Sequence, residues 1–281
     1  MTAAVTAVIE RWRSFRRAWW VALRITRLNL RARMEYRLDF VSSIFLGIAW
    51  QSSVLVFAGV LLSRFPGIGG WDSGGVLLIA AIRLLSHGIQ TAIFSPLWWA
   101  GDLVQEGLLD GYLVRPMPVY RQVLLSRFPI NALGDVAGGL LIFGLALARL
   151  HLDWTPEKIA YLVAAVMGGV LVEAALATLL ASLSLLVAIG HVPFQWLDSM
   201  LSSFGNYPLR ILPVPARQVL TFVVPVAFIG YLPAAVLTGR AGSTGVTPWL
   251  AYGAPLAGLV LYVGSRLAWQ GALRRYGSVG G

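Results

Sequence analysis

The chain has 281 residues, of which 58% are hydrophobic and only 12% charged, with a net charge of +10. Soluble domains carry about 25% charged residues, so a water-soluble fold of this length is excluded: it could not hide so much apolar surface, and the bilayer is the solvent that accepts it. The 21 arginines and the single lysine, Lys158, fall in blocks between apolar runs, a pattern that orients a membrane protein and does not build the basic stripe of a nucleic-acid-binding domain.

Residues 8–37 read as one amphipathic helix. Arg13, Arg17, Arg24, Arg27 and Arg31 fall on a narrow arc at helical spacing, and Trp12, Phe15, Trp19, Leu23 and Leu30 form a second stripe. Guanidinium groups beside tryptophan suit a helix lying in the headgroup layer on anionic lipid; the alternative is a solvated arm packed on another subunit. Arg24, Arg27 and Arg31 interrupt the apolar run that a cleavable signal would need.

Residues 40–63 carry no charge and are long enough to cross the hydrocarbon, which takes ~20 helical residues. After a Pro/Gly-rich turn, a second span covers 75–99 and contains Arg83 and His87, four apart and so on one helix face. Residues 101–128 are the most polar interior stretch. Further spans follow at 129–148, with Asp135 near its start, and at 159–188, with Glu173 inside it. A fifth, shorter span covers 194–209. Pro208, Pro213, Pro225 and Pro233 interrupt the apolar run of 210–239, read as a re-entrant hairpin, because broken helices at membrane depth need cover from protein or a water-filled cavity. The last span is 249–266. Six spans place the N-terminal arm, the 101–128 loop and the C-terminal tail on one side, with 15 of the 22 basic residues. Basic loops stay cytoplasmic, so both termini are expected inside. The chain reads as one all-α integral membrane domain over residues 1–281.

The chemistry is defined as much by what is missing. A P-loop needs a lysine after a glycine-rich turn, and Lys158 follows Glu157 with no such turn before it. ATP hydrolysis would therefore belong to another polypeptide, and the chain is expected to be no enzyme and to hold no cofactor of its own. There is no G-x-S-x-G, no H-E-x-x-H and no cysteine, and the three scattered histidines suggest no metal site. Arg83, His87, Asp135 and Glu173 sit at membrane depth, where ionisable groups face a bundle interior or a cavity. They mark either a substrate path or a buried ion pair, Arg83 with Asp135 or Glu173, that fixes packing.

Asp102, Glu106 and Asp110 lie at i, i+4 and i+8, an acidic ridge on a short helix. Leu103, Leu108, Leu109, Tyr112 and Leu113 supply apolar surface, Gly107 and Gly111 allow close approach, and Pro116 and Pro118 end the helix. Such a stretch either docks on a partner or is an ordinary solvated loop.

The string from Glu106 through Gly107, Leu108, Leu109, Asp110, Gly111, Tyr112, Leu113, Val114 and Arg115 to Pro116 resembles the G-x-L-(D/E)-x-L-L-x-x-P segment of ABC-2-type transporter permeases. The stretches 206–209 and 222–234 resemble one bacterial branch of that family, formerly catalogued as a domain of unknown function. The tail from Arg275 and Tyr276 to Gly280 resembles its closing Y-x-S-x-G motif, with Val279 where a small residue is more usual. The resemblance covers nearly the whole chain and implies the following. The 101–118 loop holds a coupling helix, Asp102 to Pro116, that seats in an ATP-binding subunit. Two permeases, identical or paralogous, pair with two such subunits, which carry the ATP and magnesium. The assembly works as an exporter in a bacterial cytoplasmic membrane. The apolar wall suits an apolar or amphipathic cargo such as a lipid, antibiotic or glycoconjugate. The competing reading is a proton-coupled secondary transporter using Arg83, Asp135 and Glu173.

Overall fold

The computed structural model describes residues 20–277, apart from 22, 33, 65, 66 and 151. The expected interface positions Trp12, Arg13, Phe15, Arg17 and Trp19 lie outside the described residues. The described residues between 20 and 35 are helical, with Arg24, Arg27 and Arg31 exposed.

The chain then forms α1 (Arg37–Arg64), a two-residue-per-strand hairpin (β1 Gly67–Ile68, β2 Trp71–Asp72) and α2 (Ser73–Phe94). A 3-10 turn, Ser95–Trp99, leads into α3 (Ala100–Gln105), α4 (Leu108–Leu113) and α5 (Val119–Leu125). Next come α6 (Asn131–Arg149), α7 (Pro156–Val187) and α8 (Val192–Phe204). The last part holds the short α9 (Val214–Gln218), α10 (Tyr231–Leu237) and α11 (Pro248–Tyr252), then α12 (Ala254–Arg275). Antiparallel β1 and β2 pair Gly67 with Asp72 and Ile68 with Trp71.

Among the described residues, three helical stretches are long and apolar enough to cross a membrane: Ser73–Gln105, Asn131–Arg149 and Pro156–Val187. The bent pair Val214–Val223 and Val226–Leu237 would make a fourth if it counted as one span. At 1.5 Å per residue, the 28 residues of α1 and the 22 of α12 rise ~42 and ~33 Å, enough length for a hydrocarbon core of ~30 Å.

Two apolar clusters mark the two ends of the bundle. One joins Trp71, Ile79, Phe228, Leu232 and Ala254, and the other joins Leu97, Leu109, Tyr120, Phe194 and Trp269. Helices α2 and α7 run through both, which fixes the bundle axis. At the second end, the Asn29 amide donates to the Leu125 carbonyl at 3.0 Å, and Trp269 and Ala272 near the end of α12 pack with Leu109. The described parts of both chain termini thus meet the 101–128 loop at one end, here called the loop end.

Two expected elements differ from the structure. The fifth span, 194–209, is helical only over Val192–Phe204, 13 residues that rise ~20 Å. Residues 205–208 complete the passage without helix, since Phe194 sits in the loop-end cluster and Pro208 lies beside Gly69 of the hairpin. The last span, 249–266, is split: Gly253 separates α11 from α12, and α12 continues to Arg275.

The proline-rich stretch is ordered by its prolines. Pro213 precedes α9, Pro225 stands in the 72° bend, and Pro233 occupies the first turn of α10, where its missing N–H has no helical acceptor to satisfy. Its surroundings bury Ile229 through Ala235 completely or nearly so. Ile211 contacts Gly69 and the Arg240 guanidinium donates to the Gly70 carbonyl at 2.5 Å. The segment between them therefore leaves from and returns to the same hairpin.

Candidate functional site

Three polar side chains line one face of α2, Arg83 and Thr91 buried and His87 partly so. Arg83, His87 and Thr91 follow each other at i, i+4 and i+8. Opposite them, α7 presents Glu173, and α8 presents Asp198 and Ser202, one turn apart. The ion pair expected for Arg83 forms with Glu173: Nε lies 3.8 Å from Oε1, and both side chains are 2% exposed. The second carboxylate oxygen of Glu173 is 2.8 Å from His87 Nδ1. That short contact directs Nε2 away from α7, to within 3.4 Å of the Thr91 hydroxyl and 3.8 Å of Asp198 Oδ1. The Arg83 guanidinium also donates to Ser202 Oγ at 3.4 Å. One α2 to α7 tie fixes the register of this string, the Ser86 hydroxyl lying 3.0 Å from the Val166 carbonyl.

A cleft of about 470 Å³ opens on the other side of His87. Leu46 and Gly47 of α1, His87 and Thr91 of α2, Asn131 and Asp135 of α6, and Asp198 of α8 form its walls. Trp98, Trp99 and Arg127 close it toward the loop end, with the Arg127 guanidinium 4.3 Å from the centre of a Trp99 ring. Of the four sequence-predicted buried charges, Arg83, His87 and Glu173 are thus joined in one string, while Asp135, 5% exposed, stands across the cleft from it. Asp198 escaped the sequence reading. The signal was present: it is a lone acid in the apolar run of α8, four residues before Ser202.

The 101–118 loop is built from two short helices and not one. Gly107 takes φ +69°, a left-handed conformation that a residue with a Cβ rarely adopts. The predicted ridge of Asp102, Glu106 and Asp110 is therefore broken after Glu106. Asp102 turns instead toward His191, Oδ1 to Nδ1 3.9 Å, and Glu106 is exposed. Nothing described in the chain approaches the position of a Cβ at Gly107 or Gly111, so Gly107 serves the turn and not a close intramolecular contact. Leu109 is fully buried and anchors α4, leaving an apolar lip of Leu108, Leu113 and Val114 facing out beside Glu106. Arg115 covers the Tyr112 ring, 5.1 Å from its centre. The Gln122 amide closes the loop before Pro116 and Pro118 reach α5, donating to the Tyr112 and Met117 carbonyls at 2.8 and 2.6 Å. Beneath it, burial pushes the Tyr120 phenol well above its usual range, so its hydroxyl stays neutral and pairs with Thr178 Oγ1 at 2.8 Å.

Of the interface residues, Arg24 stacks on Trp20 at 5.2 Å. Pro208 caps the 3-10 turn Leu209–Ile211. Among the described residues, no group of three or more His, Asp or Glu side chains is arranged to hold a metal ion.

Long apolar helices packed around a cleft lined by ionisable side chains describe a multi-pass membrane protein. No curated protein and no solved structure matches the chain. The family described as ABC-2 family transporter protein matches residues 48–280, most of the bundle including the loop and most of the cleft walls. Permeases of this family are membrane subunits that work with separate ATP-binding subunits. The chain belongs to the ABC-2 family of transporter proteins, as an ABC-2-type permease.

Proposed function

We propose that the chain is the permease of an ATP-driven exporter that moves an apolar or amphipathic substrate out of the cytoplasm through the cleft between α1, α2, α6 and α8. The observation that carries this reading is the loop itself. Leu108, Leu113 and Val114 stay exposed at the tip of the loop, anchored by Leu109 and braced by Gln122. An isolated apolar lip on a braced turn suits a groove in a soluble partner, here the ATP-binding subunit that carries ATP and magnesium.

Six spans follow in this reading: α1, α2, α6, α7, the passage of α8 with residues 205–208, and α12. The segment 210–239 is re-entrant, a reading supported by the contacts of Ile211 and Arg240, at its two ends, with one hairpin. The loop end then faces the cytoplasm of a bacterial cell, together with both termini, and the stretch before α1 lies along the headgroups. A second permease, identical or paralogous, completes the dimer.

A proton-coupled secondary transporter is the competing reading, favoured by the string Arg83, Glu173, His87 and Asp198 bordering the cleft. Mild detergent purification of the chain from its native membrane separates the two. Recovery of an ABC-type ATP-binding subunit in fixed ratio supports the ATP-driven reading. Recovery of the chain alone, under conditions that keep other transporters assembled, contradicts it and favours the proton-coupled one.

A further inference from the structure

Arg266 on α12 is a part-buried cation without a counter-charge. Its guanidinium lies over the Tyr120 ring of α5, 3.4 Å from the ring centre. Nη1 is covered and meets no hydrogen-bond acceptor, and among the described residues no carboxylate pairs with the group. The floor beneath it is aromatic and hydroxylic. Trp269 packs edge to face on Tyr120 with ring centres 5.3 Å apart, and the Tyr120 hydroxyl meets Thr178 Oγ1 at 2.8 Å and the Tyr262 hydroxyl at 3.5 Å. Thr178 in turn donates to the Ala174 carbonyl at 2.7 Å. These groups fix the guanidinium in place and offer it no negative charge.

The level of this cation in the bundle says what reaches it. Arg266 lies ~13 Å inward from the loop end of α12 at 1.5 Å per residue, and Thr178 lies as far from the same end of α7. The short helix α5 sits at that level and carries the exposed Arg121 beside Tyr120, which places the level at the border of headgroups and hydrocarbon. Arg274 follows Arg266 two turns on along one face of α12, with Gln270 between them, both exposed. Beside the guanidinium, Leu256, Val260, Val263 and Leu267 form an exposed apolar stripe that runs away from the loop end. A partly buried charge is costly until an opposite charge meets it. A guanidinium braced on a ring presents its N–H fork to phosphate, and basic pockets between membrane helices take anionic headgroups.

We propose that Arg266, held on Tyr120 between α5 and α12, binds the phosphate of one anionic phospholipid whose acyl chains lie along the apolar stripe of α12. Arg121 and Arg274 add the positive field that favours an anionic over a zwitterionic headgroup. The site needs the bilayer alone and stands whether or not an ATP-binding subunit docks at the loop.

Native mass spectrometry of the full chain in detergent tests this, with palmitoyl-oleoyl phosphatidylglycerol, phosphatidylcholine of the same chains, and inorganic phosphate as three separate probes. The parent should retain one phosphatidylglycerol in preference to phosphatidylcholine. Arg266→Gln should weaken phosphatidylglycerol binding about fivefold, the factor that one basic side chain near an anionic surface supplies. Arg149→Gln, which removes an exposed cation from the other end of the bundle, should leave it unchanged. A phosphatidylglycerol with a photoreactive acyl chain, applied to the parent in vesicles, should label α12 between Ala254 and Arg275, a result that does not depend on how the variant folds. Equal binding by Arg266→Gln and the parent overturns the proposal, as does labelling confined to other helices. Displacement of phosphatidylglycerol by millimolar inorganic phosphate gives the guanidinium to a free anion and overturns the lipid assignment. If Arg266→Gln instead loses a co-purifying ATP-binding subunit while it holds phosphatidylglycerol as the parent does, the guanidinium belongs to a protein interface and the proposal falls equally.

Discussion

Replacing Glu173 with alanine removes the counter-charge of an arginine that is 2% exposed and the acceptor of His87 Nδ1 in one step. At 3.8 Å, an effective dielectric constant of about 20 gives an attraction of ~4 kcal/mol. Breaking a buried pair from one side typically costs ~3–5 kcal/mol, because the remaining charge stays buried and uncompensated. For a chain of this size each kcal/mol corresponds to ~2–4 °C in melting temperature, so Glu173→Ala should melt roughly 6–20 °C below the parent in detergent. The double variant Arg83→Met with Glu173→Leu removes both charges at similar volume and should recover most of the loss, since apolar replacement of a buried pair is often neutral. Thermal unfolding followed by size-exclusion chromatography reads both. A melting temperature for Glu173→Ala within about 2 °C of the parent, or a double variant as unstable as the sum of its singles, would refute the view that this pair is buried and mutually dependent.

Other outcomes follow from the loop and the cleft. Glu106→Arg with Val114→Asp alters two exposed lip residues, and should leave the melting temperature unchanged while abolishing co-purification of the ATP-binding subunit; a normal complex would count against docking at the lip. Gly107→Val places a β-branched residue at φ +69° and should cost ~1–2 kcal/mol, a drop of a few degrees in melting temperature, whereas Gly111→Ala, with open space around it, should be silent. Thr91→Trp fills part of the cleft of about 470 Å³, and should block transport in reconstituted vesicles while the complex still assembles.

How far the fold was legible depended on how each segment meets its solvent. Residues 75–99, 129–148 and 159–188 are long apolar runs, and length alone marks a helix wherever the backbone must satisfy itself in lipid. The passage over 192–208 is helical for only 13 residues and irregular over its last four, so length does not mark it as a span. The loop misled for a different reason. Asp102, Glu106 and Asp110 have helical spacing, and only the single glycine after Glu106 marks the turn that separates them. In the buried string, Arg83 plainly needs an acid, but choosing Glu173 over Asp135 requires the packing of α7 against α2, which the Ser86 to Val166 contact sets. Asp198 went unread because a single acid in the middle of a short helix is ordinary at an interface, and the approach of α8 to His87 is what brings the two together.

The central claim, that an ATP-binding subunit seats on the lip at Leu108 to Pro116, is tested most directly by site-specific photo-crosslinking in native membranes. A photoreactive residue at Val114, 85% exposed on the lip, is compared with one at Trp249, 69% exposed toward the opposite end. Capture of an ATP-binding subunit from position 114 and not from position 249 is the predicted result. Its capture from position 249, or from neither position although it co-purifies with the chain, would contradict the assignment of the docking surface.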